Sequence, residues 1–500
     1  MTKSILSNWG AMIVTGLVSF FLVPVIIHGL GDFRYGLWVL VGSFIDYGGL
    51  LDLGIRATLH RYVGRLRGAE DREGLQETVS TAFCIGWVTA AAAILLAAIV
   101  AVALPPLLNV PEASRAETRW LILLLGASLA VLFPTRILGA CLCGMHRFDM
   151  YNLAAVFAVG IRATLIVIAL HLEYGLSGVA LATLISSVLW LTFNWILVRY
   201  SDPGLRLTFH AASRQRAREL SGYSMFAFLG SAGDYLRLYT DSAVIGRTLG
   251  IALVTPFSVA ARLMEYFRMT LVGVAGPLMP KMSEMEGRND QHELRQLFLR
   301  STRWTTLLSL FLGSLLVING RAFLQLWLGT RFLASYPLLI ILVTAYVVDL
   351  AQYPSTVALY AKGRHKALAV WTVAEGVANL ALSVVLAYRY GLAGVALGTA
   401  IPMLATKVFV QPWYTLRVLE LSLLDYGRAA LLRPLMLFVC FLSLTWIMVS
   451  RGAILEGIPG LILAISWQSA LFVLLAWRFG LSYSERQRLR WFGVVHAVRT

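Results

Sequence analysis

Residues 174–185 read YGLSGVALATLI, and residues 390–401 read YGLAGVALGTAI. Nine of the twelve positions are identical, at an offset of 216 residues. Each stretch is apolar, rich in small residues and runs on into further apolar sequence, so each reads as the opening of a membrane helix. The likeness extends upstream. Pro134 lies ten residues before Gly144 of GMHRF, and Pro354 lies nine before Gly363 of GRHKA. From those glycines to Tyr174 and Tyr390 is 30 and 27 residues. A three-helix passage is thus written twice, with a small indel. Six predicted helices separate the copies, and an even number preserves orientation. The repeat is therefore parallel, about an axis along the membrane normal.

Composition agrees with a membrane setting. Of 500 residues, 58% are hydrophobic and 14% charged, with a mean hydropathy of +0.74. A soluble chain carries roughly a quarter charged residues. In a bilayer the lipid itself solvates apolar faces, so no outsized aqueous core is needed. Fourteen apolar runs reach the length of about 20 residues that a crossing requires. They are 8–30, 35–55, 79–103, 119–141, 151–171, 175–198, 221–246, 251–279, 302–327, 335–360, 367–388, 391–415, 430–450 and 456–477. Alternating strands of about ten residues, the mark of a membrane barrel, are absent. The expected fold is an all-α polytopic membrane protein with fourteen transmembrane helices. Two pseudo-symmetric six-helix lobes, 1–200 and 201–420, precede 421–500, which holds two additional helices and a basic cytoplasmic tail. Only Lys3 precedes the first run and no small-residue cleavage site follows it, so it reads as a retained helix. Cys84, Cys141, Cys143 and Cys440 fall in or at the ends of runs and read as packing residues, with no disulfide framework or metal set.

Formal net charge is +16. Of 42 Lys and Arg, 28 fall on the side of the N-terminus and every second loop, 7 on the other side and 7 inside the runs. This positive-inside split places both termini in the cytoplasm. The basic surface answers to anionic lipid heads, and no motif for nucleic acid is present.

Charges inside the membrane are costly and point to a cavity, a partner or a function. They concentrate on three runs. The second holds Asp46, with Asp52 at its end in i, i+4 register with Arg56 as a surface pair. The seventh holds Asp234, Arg237 and Asp241, which share one helix face at i, i+3, i+7. The eighth holds Arg262, Glu265 and Arg268. Arg136, Arg162, Asp349, Glu375 and Lys407 stand singly. Arg237 reads equally as a structural partner of nearby acids or as a ligand. Arg262 and Arg268 flank one glutamate, which leaves one positive charge over. Arginine suits phosphate, because its planar fork donates two parallel hydrogen bonds and keeps its charge. Arg262, Arg268, Arg237, Arg162 and Arg136 are therefore the candidate ligands for a pyrophosphate. Asp46, Asp234, Asp241 and Glu265 are candidates for cation coupling or a charge network. No catalytic or metal-ligating set stands out: there is no nucleophile elbow, spaced histidine cluster or nucleotide loop.

The stretch from Ser7 to Ile55 carries Pro24, Leu30-Gly31, Tyr35-Gly36-Leu37-Trp38 and Leu51-Asp52-Leu53-Gly54. With these landmarks it resembles the opening of polysaccharide transporters of the MOP flippase superfamily, the Wzx-like O-antigen flippases among them. YTDSAVIGRTLG, from Tyr239 to Gly250, is similar to that family's seventh helix. The resemblance implies an inner-membrane flippase for an undecaprenyl-pyrophosphate-linked oligosaccharide, working by alternating access. It also implies a cavity lined by the first, second, seventh and eighth helices. The implied partners are the lipid-linked oligosaccharide, the bilayer and other polysaccharide-assembly membrane proteins. No cofactor is implied beyond a proton or sodium gradient or the membrane potential. The alternatives are a cation-coupled exporter of small molecules in the same superfamily and, less favoured, a glycan-modifying membrane enzyme. Against the enzyme, the longest outer loop, about 104–118, is short and lacks histidine.

Overall fold

The computed structural model describes residues 2–52, 55–205, 207–221, 225–450 and 457–480. The side chains of Asp52 and Arg56, Leu53-Gly54 of the N-terminal motif, Arg451, which the charge split assigns to an outer loop, and the basic tail from 481 onward lie outside the described residues.

The described residues are helical, with no strand among them. In chain order the helices are α1 (Thr2–Tyr47), α2 (Ile55–Gly68), α3 (Arg72–Leu107), α4 (Glu112–Gly144), α5 (Phe148–His171) and α6 (Gly175–Ser201). Then follow α7 (Arg214–Ser221), α8 (Met225–Thr248), α9 (Val254–Ala275), α10 (Leu278–Gly287), α11 (Gln291–Leu328) and α12 (Ser335–Ala351). The last are α13 (Tyr353–Ala361), α14 (His365–Ala405), α15 (Gln411–Leu419), α16 (Leu423–Tyr426), α17 (Arg433–Ser450) and α18 (Gly457–Leu475).

Ten stretches of the described residues are long and apolar enough to cross a bilayer, and the chain is a multi-pass membrane protein. Two of them, Ser7–Leu51 and Lys366–Leu419, run to 45 and 54 residues. At 1.5 Å per residue that is about 68 and 81 Å, more than twice the hydrocarbon thickness. Each contains a break. Gly31 has φ 74° and Gly391 has φ 57°, so α1 and α14 are each two helices joined at a kink. A side chain would strain that left-handed backbone, and glycine does not. Helices α8 and α9 are absent from the ten, because every 18-residue stretch in them holds at least three charged residues.

The repeat has a backbone counterpart. Gly175 and Gly391, the second residues of the two copies, have φ 55° and 57°. Upstream, Met145 N, His146 N and Arg147 N donate to the carbonyls of Cys141, Cys143 and Leu142. Lys362 N, Gly363 N and Arg364 N donate in the same pattern to Ala358, Tyr360 and Leu359. His146 at φ 60° therefore matches Gly363 at φ 67°. The sequence register, which paired Gly144 with Gly363, is off by two. With the corrected pairing the copies differ by one residue between this turn and the repeated tyrosine.

Residues 1–258 and 372–395 form one compact unit, and 259–371 with 396–500 form another. In the first, Ala90, Ala93 and Ala97 recur on the buried face of α3. A Cβ on Gly126 of α4 would come within 2.2 Å of the Ala97 Cβ, so small residues set this close helix contact. Leu59, Val63, Val79, Ile137, Leu138, Cys141 and Val198 close the core at one end. There α7 is tied to α3 by Arg216, whose Nε donates to Glu77 at 3.1 Å. The hydrogen bonds from its guanidinium to Glu77 and Glu219 push the Arg216 pKa up.

In the second unit Met282, Phe298, Val357, Leu416 and Tyr426 form one cluster, and Leu307, Phe441 and Phe472 another. Pro354 sits in the first turn of α13, just past a break at Gln352. The polar groups at that break are satisfied from the side. Gln352 Nε2 donates to the Tyr426 hydroxyl at 2.8 Å, and Gln411 Nε2 donates to Gln352 O at 3.2 Å. The singletons Asp349 and Lys407 pair at 3.0 Å, and Lys407 also donates to Gln411 Oε1 at 2.9 Å. Lys407 stands in a π-helical turn, Thr406–Val410, a local widening common where function or packing re-aims a side chain. By contrast Pro24, Pro134 and Pro402 sit inside helices. At the end of α10, burial pushes the Glu286 carboxyl up, but hydrogen bonds from Lys362 and Gln291 outweigh it and hold the pKa below the usual carboxylate range.

Candidate functional site

Two glycines decide where the charges of α8 go. A Cβ on Gly233 would lie 2.7 Å from backbone atoms of Thr372 and Val373, and one on Gly376 would lie 2.7 Å from the Leu236 Cβ. Helix α8 and the first half of α14 thus approach with backbone nearly against backbone. That approach sets Glu375 on Arg237. Arg237 Nη1 donates to Glu375 Oε1 at 3.2 Å, and Nη2 lies 3.5 Å from Asp234 Oδ1. The Arg237 and Glu375 side chains are 9% and 3% exposed, whereas Asp234 is 50% exposed. Glu375, Asn379 and Ser383 recur at i, i+4, i+8 and so share one face of α14. Asn379 Nδ2 donates to Arg237 O at 3.1 Å. Ser383 Oγ lies 2.8 Å from Asn379 Oδ1, 3.3 Å from Val395 O and 3.5 Å from Asp241 Oδ1. Asp241 is buried.

The close approach carries a testable consequence. Gly233→Ala places its methyl against backbone that cannot yield, an overpacking worth about 1–3 kcal/mol. The thermal unfolding midpoint in detergent is expected to fall. Gly160→Ala, where a Cβ meets nothing within 4 Å, is expected to leave it level or raise it.

In the second unit, Arg262 and Glu265 of α9 pair at 2.5 Å, with side chains 40% and 62% exposed. Arg268, one turn further, is half-buried. Among the described residues it has no carboxylate within ion-pair distance, and it acts electrostatically on the Tyr353 phenol. Arg136 of α4 and Arg162 of α5 are half-buried and engaged by neighbours; Asp46 is exposed and likewise engaged. Of the nine candidates from sequence, then, Asp234 joins Arg237 and Arg262 joins Glu265. Sequence reasoning left Glu375, Asn379 and Ser383 out of the site. Their four-residue spacing on an otherwise apolar run was the available signal. No group of three or more metal-ligating side chains occurs among the described residues. An oxygen-rich spot, Asp241 with Asn379 Oδ1, Ser383 Oγ and Val395 O, presents the donor type that hard cations take.

Comparison with known proteins places the chain. An uncharacterized membrane protein of Bacillus subtilis, EpsK, is 23% identical over 82% of this chain and 82% of its own length. A putative O-antigen transporter of Shigella flexneri is 20% identical over 78% of this chain and 91% of its own. Among solved structures, the lipid II flippase MurJ in an inward closed conformation superposes with a TM-score of 0.73. That match, at 13% identity, covers 95% of this chain and 98% of MurJ, and shows a shared fold. The family model described as polysaccharide biosynthesis protein matches residues 69–337, more than half of the sequence. The chain belongs to the polysaccharide biosynthesis protein family.

Proposed function

We propose that this protein flips an undecaprenyl-pyrophosphate-linked oligosaccharide, such as an O-antigen repeat unit, across the bacterial inner membrane by alternating access. Fourteen crossings, with both termini cytoplasmic, fit that role. Breaks at Gly31 and Gly391 split two long helices, and α8 and α9 add crossings that carry charge. We retain the repeat lobes 1–200 and 201–420, with 421–500 appended. Repeat boundaries and packing boundaries need not coincide. The work is transport, with no bond made or broken.

The observation that carries the reading is Arg268, a half-buried arginine on a membrane helix with no carboxylate partner among the described residues. A lone cation in a low-dielectric setting costs several kcal/mol unless an anion meets it, and a pyrophosphate supplies two. Arg262, Arg237, Arg162 and Arg136 complete the candidate set for the anionic head. Of the acids Asp46, Asp234, Asp241 and Glu265, Asp241 is the best placed for proton or sodium coupling, because it is buried among oxygen donors. The membrane potential acting on the anionic substrate is the rival energy source.

The test is genetic. Deletion of the gene is expected to abolish surface glycan and to build up lipid-linked precursor on the cytoplasmic face, both restored by the intact gene. Unchanged glycan display and unchanged precursor levels would reject the proposal.

A further inference from the structure

Beside the ion pair on α8 stands a group of rings that the pyrophosphate reading leaves unused. Tyr235 and Tyr239, one turn apart on α8, stack with centroids 5.2 Å apart and planes at 27°. Tyr47, at the end of α1, adds a third ring at 5.9 Å from Tyr235 and 6.4 Å from Tyr239. The three residues are half-buried. Their placement is fixed from behind. The Tyr47 hydroxyl is 2.6 Å from Thr240 Oγ1, on the buried side of α8. Gly49 makes room for Tyr235, because a Cβ there would fall 2.3 Å from the Tyr235 hydroxyl. Each of two of these rings has an acid as its chain neighbour: Asp46, exposed, precedes Tyr47, and Asp234, half-exposed and held by Arg237, precedes Tyr235.

We propose that Tyr47, Tyr235 and Tyr239 form a stacking wall for a pyranose ring, with Asp46 and Asp234 accepting hydrogen bonds from its hydroxyls. This deepens the flippase reading and rests on it. A pyranose has a face of axial C–H bonds and a rim of hydroxyls. The C–H face packs on a π surface, and the rim needs acceptors at the edge. A ring cluster meant only for lipid or core would have no reason to carry two solvent-reaching carboxylates as immediate chain neighbours, since these are costly in hydrocarbon. An organic cation also favours aromatic faces beside acids. Against it, Asp234 is already paired with Arg237, and two of the three rings, Tyr235 and Tyr239, lie nearly parallel, with Tyr47 alone turned, at 38° and 63° to them.

The test uses the purified full chain in nanodiscs and three kinds of probe. These are bare farnesyl pyrophosphate, farnesyl pyrophosphate bearing one glucose, galactose or N-acetylglucosamine, and tetraphenylphosphonium. Wild type is expected to bind at least one sugar-bearing probe about 2- to 10-fold tighter than the bare lipid, the range of an aromatic contact. Tyr235→Leu and Tyr239→Leu are expected to bring that probe down to the bare-lipid affinity. Tyr235→Phe, which keeps the ring, is expected to retain most of the increment, and Gly49→Ala, which displaces Tyr235, to lose it. The wall is overturned if the bare lipid binds and no sugar adds affinity, or if the increment survives both leucine variants. Tyrosine-dependent binding of tetraphenylphosphonium without a sugar increment overturns it in favour of a cation site. Failure to bind even bare farnesyl pyrophosphate rejects the lipid-linked reading itself, and the wall with it.

Discussion

Glu375→Leu will destabilise the protein by about 3–5 kcal/mol, the cost of leaving one member of a buried ion pair without its partner. Arg237 is nearly inaccessible and cannot shed its charge, so it has no protonation route out of the difficulty. Its second carboxylate, Asp234, stands at 3.5 Å and half in the open, where it compensates only in part. The measurement is the thermal unfolding midpoint of detergent-purified protein, together with the yield in the monodisperse fraction. Glu375→Gln, which keeps an oxygen acceptor but loses the charge, should fall between leucine and wild type. The double variant Glu375→Leu with Arg237→Met should recover most of the loss, because replacing both members of a buried pair with apolar groups is often neutral. A Glu375→Leu protein as stable as wild type would mean that Arg237 does not depend on Glu375. If the double variant folds, its transport also separates the two readings of Arg237. Retained flipping makes Arg237 a structural partner of the acids, and lost flipping makes it a ligand.

The sequence carried the helices and the repeat because both are written in local patterns. An apolar run of 20 residues needs no distant partner to be read, and YGL at 174 and 390 reports itself. The kinks at Gly31 and Gly391 were legible as boundaries between runs, although the glycine conformation that makes them was not. The register of the upstream turn was misjudged because glycine was matched to glycine. The backbone shows that what the turn needs is a left-handed residue, which His146 supplies in one copy and Gly363 in the other. Pairings between helices were beyond reach for a simple reason. Glu375 and Arg237 are separated by 138 positions, and so are only related once Gly233 and Gly376 let two backbones touch. The same holds for Asp349 with Lys407, which stood as two singletons in sequence and form one half-buried pair in the fold. By contrast the i, i+3 pairs on α8 and α9 were readable, because the spacing alone brings those side chains together.

Arg268→Ala will weaken binding of a lipid pyrophosphate about 10- to 100-fold without lowering the unfolding midpoint. The first number follows from the net worth of a charged hydrogen bond, about 1.5–3 kcal/mol, with each 1.4 kcal/mol a factor of ten. The second follows from what Arg268 lacks. It closes no ion pair among the described residues, so its removal strands no buried acid, the feature that makes Glu375→Leu so costly. Arg262→Ala should weaken binding less. Its guanidinium is already committed to Glu265, and a ligand must compete for it. Arg268→Lys should recover only part of the affinity, because an ammonium supplies the charge but not the two parallel donors that a phosphate edge accepts. The effect should shrink at high salt wherever the site is open to solvent. Arg451→Ala, in the outer loop expected from sequence, is the comparison that should change nothing. The measurement pairs affinity for farnesyl pyrophosphate in nanodiscs with restoration of surface glycan in a deletion strain. Equal tolerance of all three substitutions would remove Arg268 from the site. A fall in stability matching the fall in binding would assign Arg268 to packing, because a ligand-binding cation is held in place by its neighbours and is not itself needed to hold them.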